Sequence, residues 1–158
     1  MKHTLKVAAQ GDREILVTRA FDAPRAMVYE AYTRPELIKR WLGAHAGWSL
    51  DVCEVDLVVG GAYRWLWRGP DGAQMGISGR YLELAPPDRL VCTEQFDEAW
   101  YAGEGMVTVD FIEQAPGRTT LQLTLRYESA AARDGVLKSP METGLAASYD
   151  ALEALVTG

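Results

Sequence analysis

The sequence predicts an α+β fold: a curved antiparallel seven-stranded sheet around a long C-terminal helix, with two short helices after the first strand. Three observations lead there. From Trp48 onward, strand-like segments follow one another through short turn signals, and short connections imply antiparallel neighbours. The last segment alone combines length with helical spacing of apolar residues, at Met141, Leu145, Tyr149, Leu152 and Val156. A twisted sheet with one apolar face needs a cover, and that segment is the one long enough to supply it.

The first strand is Glu14 to Phe21, where β-branched and apolar residues mix with polar ones. It ends at Asp22-Ala23-Pro24, and Pro24 suits a helix start because its missing N–H costs nothing there. Arg25 to Tyr32 forms a short helix with Met27, Val28 and Ala31 on its apolar face. Thr33-Arg34-Pro35 breaks it. A second short helix, Glu36 to Leu42, carries Leu37, Ile38 and Trp41 on one face and stops at Gly43.

The period then changes. Ser49 to Val59 reads as a strand, and Gly60-Gly61 as a two-residue hairpin turn with φ > 0 at both positions. Ala62 to Arg68 returns, with Tyr63, Trp65 and Trp67 on one face and Arg64, Leu66 and Arg68 on the other. Gly69-Pro70-Asp71-Gly72 turns the chain into Gln74 to Leu84, and Ala85-Pro86-Pro87-Asp88 into Arg89 to Phe96. After a connection over Asp97 to Gly103, Glu104 to Glu113 sets Val107, Val109 and Phe111 against Thr108 and Asp110. Thr119 to Glu128 sets Leu121, Leu123, Leu125 and Tyr127 against Thr120, Gln122, Thr124 and Arg126. Ser129 to Asp134 is expected as a lead-in turn. Ser139-Pro140-Met141-Glu142 then reads as a capping box opening the long helix. Gly144 lowers helix propensity by about 1 kcal/mol relative to Ala, which close approach of a strand or a ligand would explain.

Length and composition bound the function. A chain of 158 residues suits one domain over 1–158, with an ordered core over about 13–157. Its 48% apolar and 24% charged residues are ordinary for a globular protein. No apolar run reaches the length of a membrane span, and Met1 to Asp12 lacks the pattern of a signal peptide, so the cytoplasm is the expected compartment and no membrane insertion is expected. Net charge is −6 with no basic cluster, which argues against a nucleic-acid partner. Cys53 and Cys92 lie in strand-like stretches and read as buried reduced thiols, with a disulfide as the alternative.

Several motifs then occur together and in order: Arg19-Ala20-Phe21-Asp22-Ala23-Pro24, Tyr32-Thr33-Arg34-Pro35, Arg40-Trp41, Asp56 to Gly61, Gly69 to Gly72, Gly79-Arg80-Tyr81, and Pro86-Pro87-Asp88-Arg89-Leu90-Val91. In this the chain resembles the activator of heat-shock protein 90 ATPase homologue-like family, from about Ile15 to Val156. The resemblance implies the helix-grip fold of the START/Bet v 1-like (SRPBCC) group. Two departures stand out. Where the family often has a second Trp after Arg-Trp, this chain has Leu42, and where the last helix often has Gly-Trp, it has Gly144-Leu145. Replacing Trp by Leu at both places implies an enlarged or reshaped interior. Eukaryotic co-chaperones of the family carry a separate N-terminal domain for chaperone engagement, so chaperone activation is not carried over here.

Catalytic signatures are sparse. No nucleophile elbow, phosphate loop or dinucleotide fingerprint is present, and two histidines with two separated cysteines argue against a zinc cluster. No metal or cofactor is expected. His45, in the loop after the second helix, is the one candidate general base, and it reads better as a loop histidine at a cavity rim. Glu54, Asp56, Glu83 and Glu94 lie in strands, where most carboxylates sit on solvated faces. Arg64 and Arg80 read as surface residues rather than as partners for a ligand carboxylate.

Aromatic and sulfur-bearing residues carry the binding expectation. Trp41, Tyr63, Trp65, Trp67, Phe96, Trp100 and Tyr149 offer apolar bodies with polar handles, and Met75, Met106 and Met141 suit variable contents. Leu145 and His45 complete the candidate ligand-binding set. Cores and pockets draw on the same residue types, so packing stands beside binding at each position. The leading expectation is a hydrophobic or aromatic small molecule held between sheet and long helix. A cyclase- or dehydratase-like enzyme on a polyketide-like substrate is one alternative, requiring an inward His or carboxylate. An interaction module or chaperone cofactor is another, requiring a patch outside the sheet. Homodimerisation is left open.

Overall fold

Alternation along each strand decides what lies inside. On β2 (Glu14–Phe21), Ile15, Val17, Arg19 and Phe21 are buried while their neighbours are half-buried. The computed structural model describes residues 3–43, 47–98 and 103–157. The order is β1 (Lys6–Gln10), β2, α1 (Arg25–Thr33), α2 (Pro35–Ile38), β3 (Ser49–Val55), β4 (Ala62–Arg68), β5 (Gln74–Ala85), β6 (Arg89–Phe96), β7 (Gly105–Ala115), β8 (Arg118–Arg126), α3 (Ala130–Lys138) and α4 (Met141–Thr157). The strands form one open antiparallel sheet in the order β1-β2-β8-β7-β6-β5-β4-β3. The fold is the expected helix-grip architecture with eight strands in place of seven.

The extra strand is β1. Its sequence, Lys6-Val7-Ala8-Ala9-Gln10, has no alternation to announce it, and all but one of its residues are exposed. It forms because β2 offers a free edge: Val7 pairs with Val17 and Ala9 with Ile15 across a turn at Gly11, which has φ +58°.

Four local expectations are corrected. Gly60-Gly61 is not a two-residue turn. β3 ends at Val55, and Asp56 to Gly61 form a six-residue loop in which Gly60 has φ +86° and Gly61 does not enter the left-handed region. Gly61 is required by contact instead, since a Cβ there would sit 2.1 Å from the Asp56 carbonyl oxygen. The lead-in turn is a full nine-residue helix, α3, capped by the Ser129 hydroxyl, which accepts from the Ala132 N–H at 3.0 Å. The capping box at Ser139 is not formed, because Ser139 closes α3: its hydroxyl donates to the Val136 carbonyl at 2.6 Å. The second helix is also shorter than expected, continuing past Ile38 only as turns that reach Leu42.

The long helix α4 lies against the inner face. Tyr149, Leu152 and Val156 are buried in the same cluster as Ile15, Val17, Val109 and Leu121. A charged clasp fixes its position. Arg19, only 2% exposed, faces inward from β2 and meets Asp150 at 3.0 Å and Glu153 at 2.8 Å, both on α4. Glu153 also accepts the Asp22 backbone N–H at 3.0 Å. An inward arginine is tolerated because its charge is met by two carboxylates and its Cζ lies over the Phe21 ring, 4.8 Å from the centroid. Among the described residues, no helix is long and apolar enough to cross a membrane.

Candidate functional site

The inner face of the sheet is not packed solid. Between β4–β8 and the first turns of α4 lies a cavity of about 810 Å³. That is within the range of small-molecule sites, about 300–1,000 Å³.

β4 supplies the aromatic wall. Tyr63, Trp65 and Trp67 share one strand face, with ring centroids 4.6 Å apart for the first pair and 6.1 Å for the second. Their polar ends differ. The Tyr63 hydroxyl donates to the Thr93 carbonyl at 2.5 Å, and the Trp67 indole N–H donates to the Leu42 carbonyl at 2.9 Å. The Trp65 indole nitrogen is buried with no hydrogen-bond partner among the described residues. Trp67 also fixes the end of the α2 turn. Gly43 has φ +68°, and a Cβ there would stand 2.4 Å from the Trp67 indole nitrogen, so both backbone and space demand glycine.

α4 supplies the opposite wall through Met141, Gly144, Leu145 and Ser148, at i, i+3, i+4 and i+7. Ser148 is anchored, accepting the Gly43 N–H at 3.0 Å. An added Cβ at Gly144 would meet nothing within 4 Å, so no strand approaches there and the helix simply faces the void. Leu42 and Leu145, the two positions where Leu stands in place of Trp, both lie on the cavity wall.

β6 contributes a carboxylate to the cavity wall. Leu90, Cys92, Glu94 and Phe96 follow the period of two and all line the cavity. The Glu94 carboxyl has no hydrogen bond or ion pair among the described residues, and burial alone pushes it from 4.5 up to about 7. The groups that feel its charge are uncharged: Tyr32, Tyr63, Tyr149 and the Cys92 thiol. Burial raises all four, Cys92 to about 12 and Tyr63 far more. Cys53 is likewise pushed up to about 11, and both cysteines are free thiols, which removes the disulfide alternative.

The sequence-predicted residues fall into groups. Trp41, Tyr63, Trp65, Trp67, Met75 and Phe96 lie on the wall, as do Met141 and Leu145. Tyr149 does not reach it. It is fully buried behind the wall, where its hydroxyl pairs with that of the wall residue Tyr32 at 2.7 Å and its ring packs against Phe21 and Trp41. Met106 points the other way, 41% exposed on the outer face of β7, because it is out of phase with inward Val107 and Val109. His45 and Trp100 lie outside the described residues.

Of the four carboxylates expected in strands, Glu54 and Glu83 are exposed, Asp56 is exposed in the loop after β3, and Glu94 alone of the four faces the cavity. Arg64 and Arg80 point outward. Arg64 grips Asp97 through two bonds of 2.5 and 2.6 Å, and Arg80 donates to the Gly60 carbonyl at 3.0 Å.

An open antiparallel sheet gripping a C-terminal helix, with a helical corner between the second and third strands and a cavity under the helix, is the arrangement the motifs imply. The family model for Activator of Hsp90 ATPase homolog 1-like protein matches residues 22–157.

The chain belongs to this family.

Among solved structures of similar architecture is a Rhodobacter sphaeroides protein, 30% identical over 98% of both chains with a TM-score of 0.90. A Chromobacterium violaceum protein is 29% identical over 94% of this chain and 99% of its own, with a TM-score of 0.78. An HSP90 activator from Plasmodium falciparum is 22% identical over 92% of this chain and 96% of its own, with a TM-score of 0.67, a likeness of fold. No curated protein matches the chain. Within the activator-homologue fold, residues 22–157 include every described residue of the cavity wall.

Proposed function

We propose that this chain binds a hydrophobic or aromatic small molecule in the cavity between β4–β8 and α4. The observation that carries the reading is a cavity of about 810 Å³ walled by the aromatic row of β4 on one side and Met141 and Leu145 on the other. Apolar wall left facing water is a cost that burial of a hydrophobic ligand offsets. The free, protonated thiols suit a reducing compartment such as the cytoplasm.

The enzyme alternative needs an inward acid–base group. Glu94 is one, but a catalytic base is normally oriented by a second group, and no described residue hydrogen-bonds its carboxyl. Binding therefore has the stronger support.

The test is a screen of apolar and aromatic compounds, read by thermal shift and by tryptophan fluorescence, since Trp41, Trp65 and Trp67 line the cavity. A binder should raise the melting temperature and change the emission, and Leu145→Trp should weaken both effects. A screen in which no compound class binds would overturn the reading.

A further inference from the structure

The cavity is one-sided in charge. Its described lining holds three carboxylates, Glu94, Asp97 and Glu98, and no lysine, arginine or histidine. Asp97 is neutralised from outside by Arg64, whose two nitrogens lie 2.5 and 2.6 Å from its oxygens. Glu98 is exposed. Glu94 is the interior member and meets no cation of the protein among the described residues.

A carboxylate in such a place needs a reason. Flanked by Leu90, Cys92 and Phe96 along its own strand, with Tyr63 of β4 reaching across β5 to the neighbouring Thr93 carbonyl, Glu94 loses hydration without gaining a partner. A leucine at that position would extend the apolar row of β6. What the carboxylate adds is attraction for a positive charge. Aromatic ring faces add the same preference, since their quadrupoles present negative potential. Tyr63, Trp65 and Phe96 line the same void as Glu94. Conversely, the described wall has no cation to receive an anionic ligand, and Glu94 would repel one.

We propose that the occupant of this cavity is a hydrophobic or aromatic molecule bearing a single cationic nitrogen, with the ammonium beside Glu94 and the apolar body against the β4 aromatics. This rests on the cavity being a binding site, and it specifies the ligand's charge class. The apolar walls on both sides of Glu94 set the ligand's form: one charged point with apolar bulk around it, rather than a polycation.

The experiment compares probes that share one framework and differ in one group: 2-naphthylmethylamine, its trimethylammonium analogue, 2-naphthylmethanol and 2-naphthoate. Affinities are measured by calorimetry and tryptophan fluorescence at mildly alkaline pH, on the wild-type chain and on Glu94→Gln. The expected result on the wild type is that both cations bind at least tenfold more tightly than the alcohol, and that the naphthoate binds more weakly than the alcohol. In Glu94→Gln the preference for the cations over the alcohol should fall to within about threefold. Because the first comparison uses the unaltered chain, it stands even if the variant misfolds. Equal binding of amine and alcohol by the wild type, tightest binding of the naphthoate, or a cation preference that survives in folded Glu94→Gln would overturn the charge assignment and leave the cavity a binding site for neutral or anionic molecules. Failure of every probe, the neutral alcohol included, would count instead against the cavity as a binding site for aromatic molecules of this kind.

Discussion

Glu94 makes the stability of this protein depend on pH in a direction that burial sets. In the unfolded chain its carboxyl titrates near its ordinary value of 4.5, and in the folded chain near about 7. Between those values the folded state holds a proton that the unfolded state has released, so stability falls as pH rises. Below 4.5 the carboxyl is protonated in both states and the penalty is absent; above about 7 it is ionised in both and the penalty is full. At about 1.36 kcal/mol per pKa unit, the interval is worth roughly 3 kcal/mol. Water entering the cavity screens part of this, leaving about 1–3 kcal/mol. Glu94→Gln removes the titration while keeping the shape. Urea unfolding of both proteins at about pH 5 and about pH 8 isolates the effect, because every other titrating group cancels in the comparison. The variant should gain about 1–3 kcal/mol over the wild type on going from the lower pH to the higher, or about 2–4 °C in melting temperature per kcal/mol for a protein of this size. Stability curves that run parallel for the two proteins would refute the placement of Glu94 as an unpaired buried acid.

Other consequences follow from the same geometry. Arg19→Met leaves Asp150 and Glu153 without the cation that clasps them to β2; because both are partly exposed, the expected loss is about 2–3 kcal/mol by urea unfolding, below the value for a fully buried pair. Gly43→Ala strains a left-handed backbone and displaces the Trp67 indole, so it should cost about 2–3 kcal/mol and change tryptophan emission. Gly144→Ala should do the opposite: with a helical backbone and open space at the Cβ, it should add about 0.5–1 kcal/mol in thermal unfolding.

Much of the site was legible in the strand alternation. The spacing that placed Tyr63, Trp65 and Trp67 together also runs through Leu90, Cys92, Glu94 and Phe96, and it puts Glu94 inside. Reading carboxylates as solvated by default hid that signal. The same rule, applied to Val107 and Val109, puts Met106 outside, so counting methionines as pocket residues overrode the better indicator. The Ser139 motif was misread for a different reason. A serine followed by proline and glutamate has the pattern of a helix start, but here the preceding helix ends on the same residue and takes the hydroxyl. Local pattern does not say which of two adjoining helices wins it.

Sequence alone determined the strand faces, the helical corner and the covering role of the last helix, because hydrophobic periodicity is a property of each segment. It could not give the separation between layers. α4 is amphipathic throughout, yet Leu152 and Val156 are packed against the sheet while Met141 and Leu145 stand across a void. That difference depends on how α4 crosses the inner face, with the Arg19 clasp holding it at Asp150 and Glu153 near its C-terminal half. Whether an inward tyrosine such as Tyr149 fills a core or looks into a cavity is decided by what stands opposite, and only the tertiary structure brings the two sides together.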